Sequence, residues 1–417
     1  MQKQKFKLAI CAYLTWVTCA FLFAGSASAA TEKVLYSFTG GNDGSQPDAG
    51  LTRGPNGSFY GSTFYGGTAN QGVVFQLTHS STGWTETVLY NFQGGSADGG
   101  NPNGTLILDA KGNIYGTTAS GGKGYGIQGS PGSGVVYELS PSASGWKETI
   151  IHFFFNDGAP SAVIMDSAGN LYGETGGGGT QNNGTVYLMK HTASGWKYGN
   201  LYQFLGGNDG SFPWGGLIFD AKGNLYGVTI EGGPAFDGTV FELERTKGVW
   251  TEKQLYAFQN TADGVFPEAA LAWDKAGNLY GTTSYGGDVS CAEGYGCGEV
   301  FELSPSGGAW TKATLYAFPG APDGHAPLAP MSFSSAGNLL GTTSNGGSNN
   351  TGALFELKPQ SGGGWQESIL YSFTNGGDGG FPSTPLLIDA SGNIWGTTQV
   401  GGTSTQGVVF EFPGIAK

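Results

Sequence analysis

The sequence predicts an all-β protein, a seven-bladed β-propeller with four strands per blade. Three observations carry that reading. A string close to "GNLYGTT" recurs seven times, each full unit divides into four short strands, and the chain past its leader opens on what looks like the end of a unit.

The recurring string is read first, because a fixed period of this length decides the fold. Its aromatic or apolar centre falls at Tyr60, Tyr115, Tyr172, Tyr226, Tyr280, Leu340 and Trp395, with successive spacings of 55, 57, 54, 54, 60 and 55 residues. In the unit around Tyr226 the expected strands are residues 216–221 (GLIFDA), 224–229 (NLYGVT), 238–244 (GTVFELE) and 250–258 (WTEKQLYAF). Period-two alternation, β-branched and aromatic residues, and Gly/Asn/Asp punctuation mark them as strands. The "D-x-x-G-N" between the first two suits a tight hairpin. The 78 glycines fit turns rather than disorder, because apolar strands recur throughout. A four-stranded sheet of this kind cannot bury both faces alone, so stacked blades are expected to bury each other's aromatic faces.

The last unit offers only three strands: PLLIDA, NIWGTT and VVFEF. The expected fourth is "TEKVLYSF", residues 31–38, which would close the ring and remove two open sheet edges. Six fourth strands begin with a tryptophan six positions before the tyrosine position, at Trp84, Trp146, Trp196, Trp250, Trp310 and Trp365. The same slot ahead of Tyr36 is Ala30.

Residues 1–30 read as a secretory signal peptide: Lys3, Lys5 and Lys7, an apolar run, then "SASAA". Residues 31–417 are expected to form one propeller domain, secreted or periplasmic, monomeric, and without a membrane span. The leader carries three lysines and no acid, so the remainder has a formal charge of −16 rather than −13. That acidity argues against nucleic acid or an anionic membrane surface as partner. Arg53 and Arg245 are the only arginines, too few for a phosphate or sulfate clamp. Cys291 and Cys297, in "CAEGYGC", are expected to form a local disulfide in an exported protein. Two thiols with no neighbouring histidine do not make a zinc site.

The pattern "LYxF…DGxxP…GLxxDxxGNLYGTTxxGG…GxVFEL" resembles the Gloeobacter/Verrucomicrobia-type tandem repeat, GloVer, over residues 31–412. The resemblance implies export and a propeller-like repeat, and brings no catalytic residues. More distantly, "GLxxDxxGNLY" is similar to NHL-type propeller repeats.

No nucleophile elbow, phosphate loop, HExxH or Cys/His metal signature is present in the sequence. No cofactor is expected. The "DGxxP" aspartates (Asp43, Asp98, Asp157, Asp209, Asp263, Asp323, Asp378) recur in every unit and could ring a calcium ion. Turn capping is the favoured reading for them. A ligand site belongs where the repeat is broken. The residue after the "DGxxP" proline varies: Asp48, Asn103, Ser161, Trp214, Glu268, Leu328 and Ser383. It precedes the innermost strand and should approach the channel mouth. There Trp214 could stack on a sugar ring, or simply pack on blade four. Asp48 and Glu268 could form a glycosidase pair, or be solvated turn residues. Glu174, in "YGET", and Glu231, in "TIEGG", could reach the same face or be surface charge. His325 in "PDGHAP" is the candidate for proton transfer, with an exposed loop histidine as the plainer reading. These features point to a secreted, non-catalytic binding module for carbohydrate or cell-surface material. A carbohydrate-active hydrolase or lyase and a protein-interaction scaffold are the alternatives.

Overall fold

The computed structural model describes residues 30–124, 132–155 and 157–417. The expected signal peptide therefore lies outside the described residues, Ala30 apart. Seven antiparallel sheets stand in a ring, a seven-bladed β-propeller. Blade four runs Ile218–Phe219, Leu225–Glu231, Thr239–Thr246 and Val249–Ala257 from the inside outward. Its innermost strand is far shorter than the six residues expected. Near the axis only two residues pair before the chain turns, and this holds in every blade but the second, where Gly99–Leu108 is continuous.

Blade seven is closed as its three-stranded sequence requires. Lys33–Ser37 pairs with Val408–Phe412, Lys33 opposite Glu411 and Ser37 opposite Val408. Ala30 donates its backbone N–H to the Leu370 carbonyl at 3.3 Å and packs on the neighbouring apolar cluster.

Each of the seven apolar clusters is built from two adjacent blades. One joins Tyr226, Val240 and Phe258 of blade four to Leu279, Phe301 and Leu303 of blade five. The aromatic repeats stitch blade to blade. Trp196 meets Tyr115 edge-on at 6.0 Å, Trp250 meets Tyr172 at 6.3 Å, and Trp365 meets Tyr280 at 6.3 Å. At the glycine after the repeated aromatic a side chain larger than hydrogen has no room: a Cβ on Gly61 would stand 2.5 Å from the Phe75 ring.

The repeated aspartates serve the backbone and the tyrosines. Asp109 accepts from the amides of Lys111 and Asn113 at 2.8 and 2.9 Å and from Tyr115 Oη at 3.2 Å. In the "DGxxP" loop, Asp43 accepts from Thr39 N at 2.8 Å and Tyr36 Oη at 3.0 Å. Asp209 and Asp378 repeat the pattern. Among the described residues no group of three or more His, Cys, Asp or Glu is placed to hold a metal ion.

Facing these aspartates from the next blade is a second acid, carried by the fourth strand. Glu86 faces Asp43, Glu148 faces Asp98, Glu252 faces Asp209, Glu367 faces Asp323, and Glu32 faces Asp378. Burial first, and the facing aspartate second, push Glu32, Glu86 and Glu252 up to about 7, and Glu148 and Glu367 up to about 8. At the blade five junction the same slot is Lys312, which pairs with Asp263 at 3.2 Å and Glu299 at 2.6 Å. At blade three it is Tyr198, stacked on His152 at 4.2 Å.

Cys291 and Cys297 form a disulfide within the second-to-third-strand connection of blade five. Among the described residues no helix is long and apolar enough to cross a membrane.

Candidate functional site

The seven positions after the "DGxxP" proline all line one cavity of about 760 Å³ on the propeller axis. A backbone device puts them there. In six blades the residue before the proline is left-handed, as at Gln46 (φ 53), Asn101 (φ 56) and Phe212 (φ 57). Its N–H donates to the previous blade, Gln46 N to Gln406 O at 2.8 Å and Phe212 N to Asn183 O at 2.9 Å. This hydrogen bond holds a conformation that side-chain-bearing residues seldom adopt. The proline then sets the direction of the next residue, whose side chain faces the axis.

The wall is unequal around its circumference. Asp48 accepts from Gln399 Nε2 at 2.7 Å and from Ser383 Oγ at 3.4 Å. Gln399 also donates to Ser383 Oγ at 3.0 Å, so blades seven and one present one polar cluster. Asn103 donates to the Pro160 carbonyl at 2.8 Å. Trp214 is 38% exposed and leans on Gly176 of blade three. A Cβ there would stand 3.0 Å from its Cε3, so the glycine gives the indole its seat. Glu268, from the next blade, lies beside Ser284, whose hydroxyl donates to the Phe266 carbonyl at 3.1 Å. Burial raises both carboxyls, and the neutral donors beside them oppose it. Asp48 and Glu268 belong to blades one and five, which stand three blade steps apart in a ring of seven, so they face each other across the channel.

The other candidates lie elsewhere. Glu174 occupies the slot held by Thr117, Thr282, Thr342 and Thr397 in other blades, and it is fully buried rather than a surface charge. Its Oε2 accepts from Gly216 N at 2.9 Å and Ser161 Oγ at 3.4 Å, while Oε1 has no hydrogen-bond donor. Burial raises it to about 8. Glu231 stands exposed at the end of the second strand of blade four, outside the cavity wall. His325 is half-buried beside Tyr285, ring centroids 6.3 Å apart, and is not on the wall either. Burial lowers its pKa. Phe64, Ala119 and Gln399 also line the cavity, and the expectation built on the proline column does not include them. They share one position, directly after the "TT" of "TTxxGG", and that column varies as freely as the one after the proline.

Glu174→Gln keeps an acceptor for Gly216 and removes a group that must stay protonated. Its carboxyl is raised in the fold, so its stabilising contribution is complete below the ordinary Glu pKa and is lost as pH rises toward 8. The variant should melt with the parent near pH 4 and several degrees above it at pH 8, as thermal melts at both values will show.

The Gloeobacter/Verrucomicrobia repeat model matches residues 18–127, 125–293 and 289–415. The chain belongs to that family. Among curated proteins none matches the sequence. In fold the family member is similar to the streptogramin B lyase structure, at TM-score 0.56 and 14% identity, covering 91% of this chain and 96% of that one. It is similar also to a Mycobacterium tuberculosis puromycin-hydrolyzing peptidase, at TM-score 0.53 and 11% identity, over 88% of this chain and 52% of that one. A protein from Lactobacillus plantarum matches at TM-score 0.53 and 16% identity, over 81% and 87%. At these identities the likeness is one of fold, and fold alone assigns no chemistry.

Proposed function

We propose that this repeat protein is an exported, non-catalytic binding propeller that takes carbohydrate, free or on a cell surface, into its central cavity. The observation that carries the reading is the contrast at one backbone position. Seven blades share their scaffold, yet they place six different residue types on the cavity wall through Asp48, Asn103, Ser161, Trp214, Glu268, Leu328 and Ser383. An open indole face among hydroxyl, amide and carboxyl groups suits a sugar ring, which has both an apolar face and hydroxyl edges. The volume lies within the ordinary range for small-ligand sites, roughly 300–1,000 Å³. The disulfide is in keeping with an oxidising compartment.

A second reading rests on Asp48 and Glu268, two raised carboxyls facing one cavity, which could serve as acid and base on a glycosidic bond. Incubation with a polysaccharide panel separates the two, if retained protein and released oligosaccharide are followed together. Retention without new products is expected. Trp214→Ala should weaken the retained glycan by about tenfold or more, since stacking on one large aromatic face supplies that order of affinity. Products that vanish with Asp48→Asn or Glu268→Gln would instead establish an enzyme.

A further inference from the structure

We infer that the cavity is selective for a ligand carrying positive charge, and specifically for an amino sugar with a free ammonium group. This rests on the carbohydrate reading above and narrows it.

Charge on the wall is unbalanced. The wall contains two carboxyl groups, Asp48 and Glu268, and no lysine, arginine or histidine. Among the described residues neither carboxyl has a basic partner. Their neighbours are neutral: Gln399 and Ser383 beside Asp48, Ser284 beside Glu268. The blade five junction differs, because there the fold does supply a buried cation, Lys312, to its acids. Two largely desolvated carboxylates without a counter-charge are costly in an empty cavity, and a bound cation offsets that cost.

The position of the carboxylates sharpens the class. Glu268 and Trp214 occupy the same wall position in successive blades, five and four. A carboxylate and an open indole face on adjacent blades of one cavity offer an ammonium both an ion pair and the ring's negative π-surface. Asp48 on the far side offers a second anchor. The same wall rejects polyuronates and sulfated glycans, whose charges would meet carboxylates with no compensating base.

The test compares three tetramers by titration calorimetry against the purified protein at pH 6 and low salt: β-1,4-linked glucosamine, its N-acetylated counterpart and galacturonate. The glucosamine tetramer is expected to bind at least tenfold tighter than the N-acetylated one, with galacturonate silent. That preference should shrink as salt rises, because it is electrostatic. It should also fall severalfold in Glu268→Gln, and vanish when Asp48→Asn is added, with each variant's melting temperature reporting that the fold is intact. Equal or tighter binding of the N-acetylated tetramer would overturn the charge selectivity and leave the carbohydrate reading standing. Binding of none of the three in the parent protein would overturn both.

Discussion

Deleting residues 31–38 is expected to lower the melting temperature by at least about 5 °C and to convert the protein into a self-associating species. The segment carries Phe38, fully buried between blades seven and one, with Leu35 and Tyr36 packed on the same cluster. Burying side chains of this size contributes roughly 1.5–3 kcal/mol each, and a chain of this length loses only about 1 °C per kcal/mol. The deletion also exposes the full hydrogen-bonding edge of Val408–Phe412, which now pairs with Lys33–Ser37. An unpaired apolar edge recruits other chains. Differential scanning calorimetry together with light scattering checks both halves. An unchanged, monodisperse protein would show that blade seven stands on three strands and that ring closure contributes little.

The second large effect is an inverted pH dependence. Five glutamates at blade junctions face an aspartate and are raised to about 7 or 8 by burial and by that neighbour. A carboxyl whose pKa is raised on folding binds more protons in the folded state. Its contribution is complete below the ordinary Glu value and is lost as pH climbs from there through about 7 to 8. The hairpin aspartates act in the opposite sense. Burial raises Asp109, Asp166, Asp274 and Asp389, but hydrogen bonds, chiefly from Asn113, Asn170, Asn278 and Asn393, outweigh it and lower them. Their contribution is present above the usual Asp range and is lost only as pH falls below it. Together the two sets place the stability maximum near pH 5. Solvent screens the glutamates in part, so each pair is assigned on the order of 1 kcal/mol. At roughly 1 °C per kcal/mol for a chain of this length, the melting temperature at pH 8.5 should lie about 5 °C below its value at pH 5. The variant Glu148→Gln with Glu367→Gln should flatten the alkaline limb and leave the acid limb unchanged. A melting temperature that rises steadily from pH 5 to 8.5 would sink the idea.

The ring, the blade count and the closing strand are legible in the sequence because each is repeated, and repetition averages out local ambiguity. The roles of the repeated aspartates are legible for the same reason. The site is legible only in part. The variable position after the proline can be placed at the cavity because its distance from the scaffold is constant. The position after the "TT" pair obeys the same logic, but its variation is masked by the loop of changing length that follows it. Glu174 is unreadable for a different reason. A lone acid in a threonine slot looks like a surface change, and only the packing of blade three on blade four shows it sealed against Gly216. The junction pairs are hidden too. Glu86 and Asp43 are far apart in their repeats and meet only when one blade lies on the next.

The proline at every wall position, and the left-handed residue before it in six of the seven blades, have a use beyond this molecule. They hold the backbone, so the side chain that follows is free to change without disturbing a blade. The wall here spells a seven-letter word, D-N-S-W-E-L-S, one letter per unit in chain order. Any chain with the same repeat carries its own word at the residue after each "DGxxP" proline. Specificity in this architecture is thus written as a short alphabetic code on a constant frame, and the code can be rewritten one letter at a time.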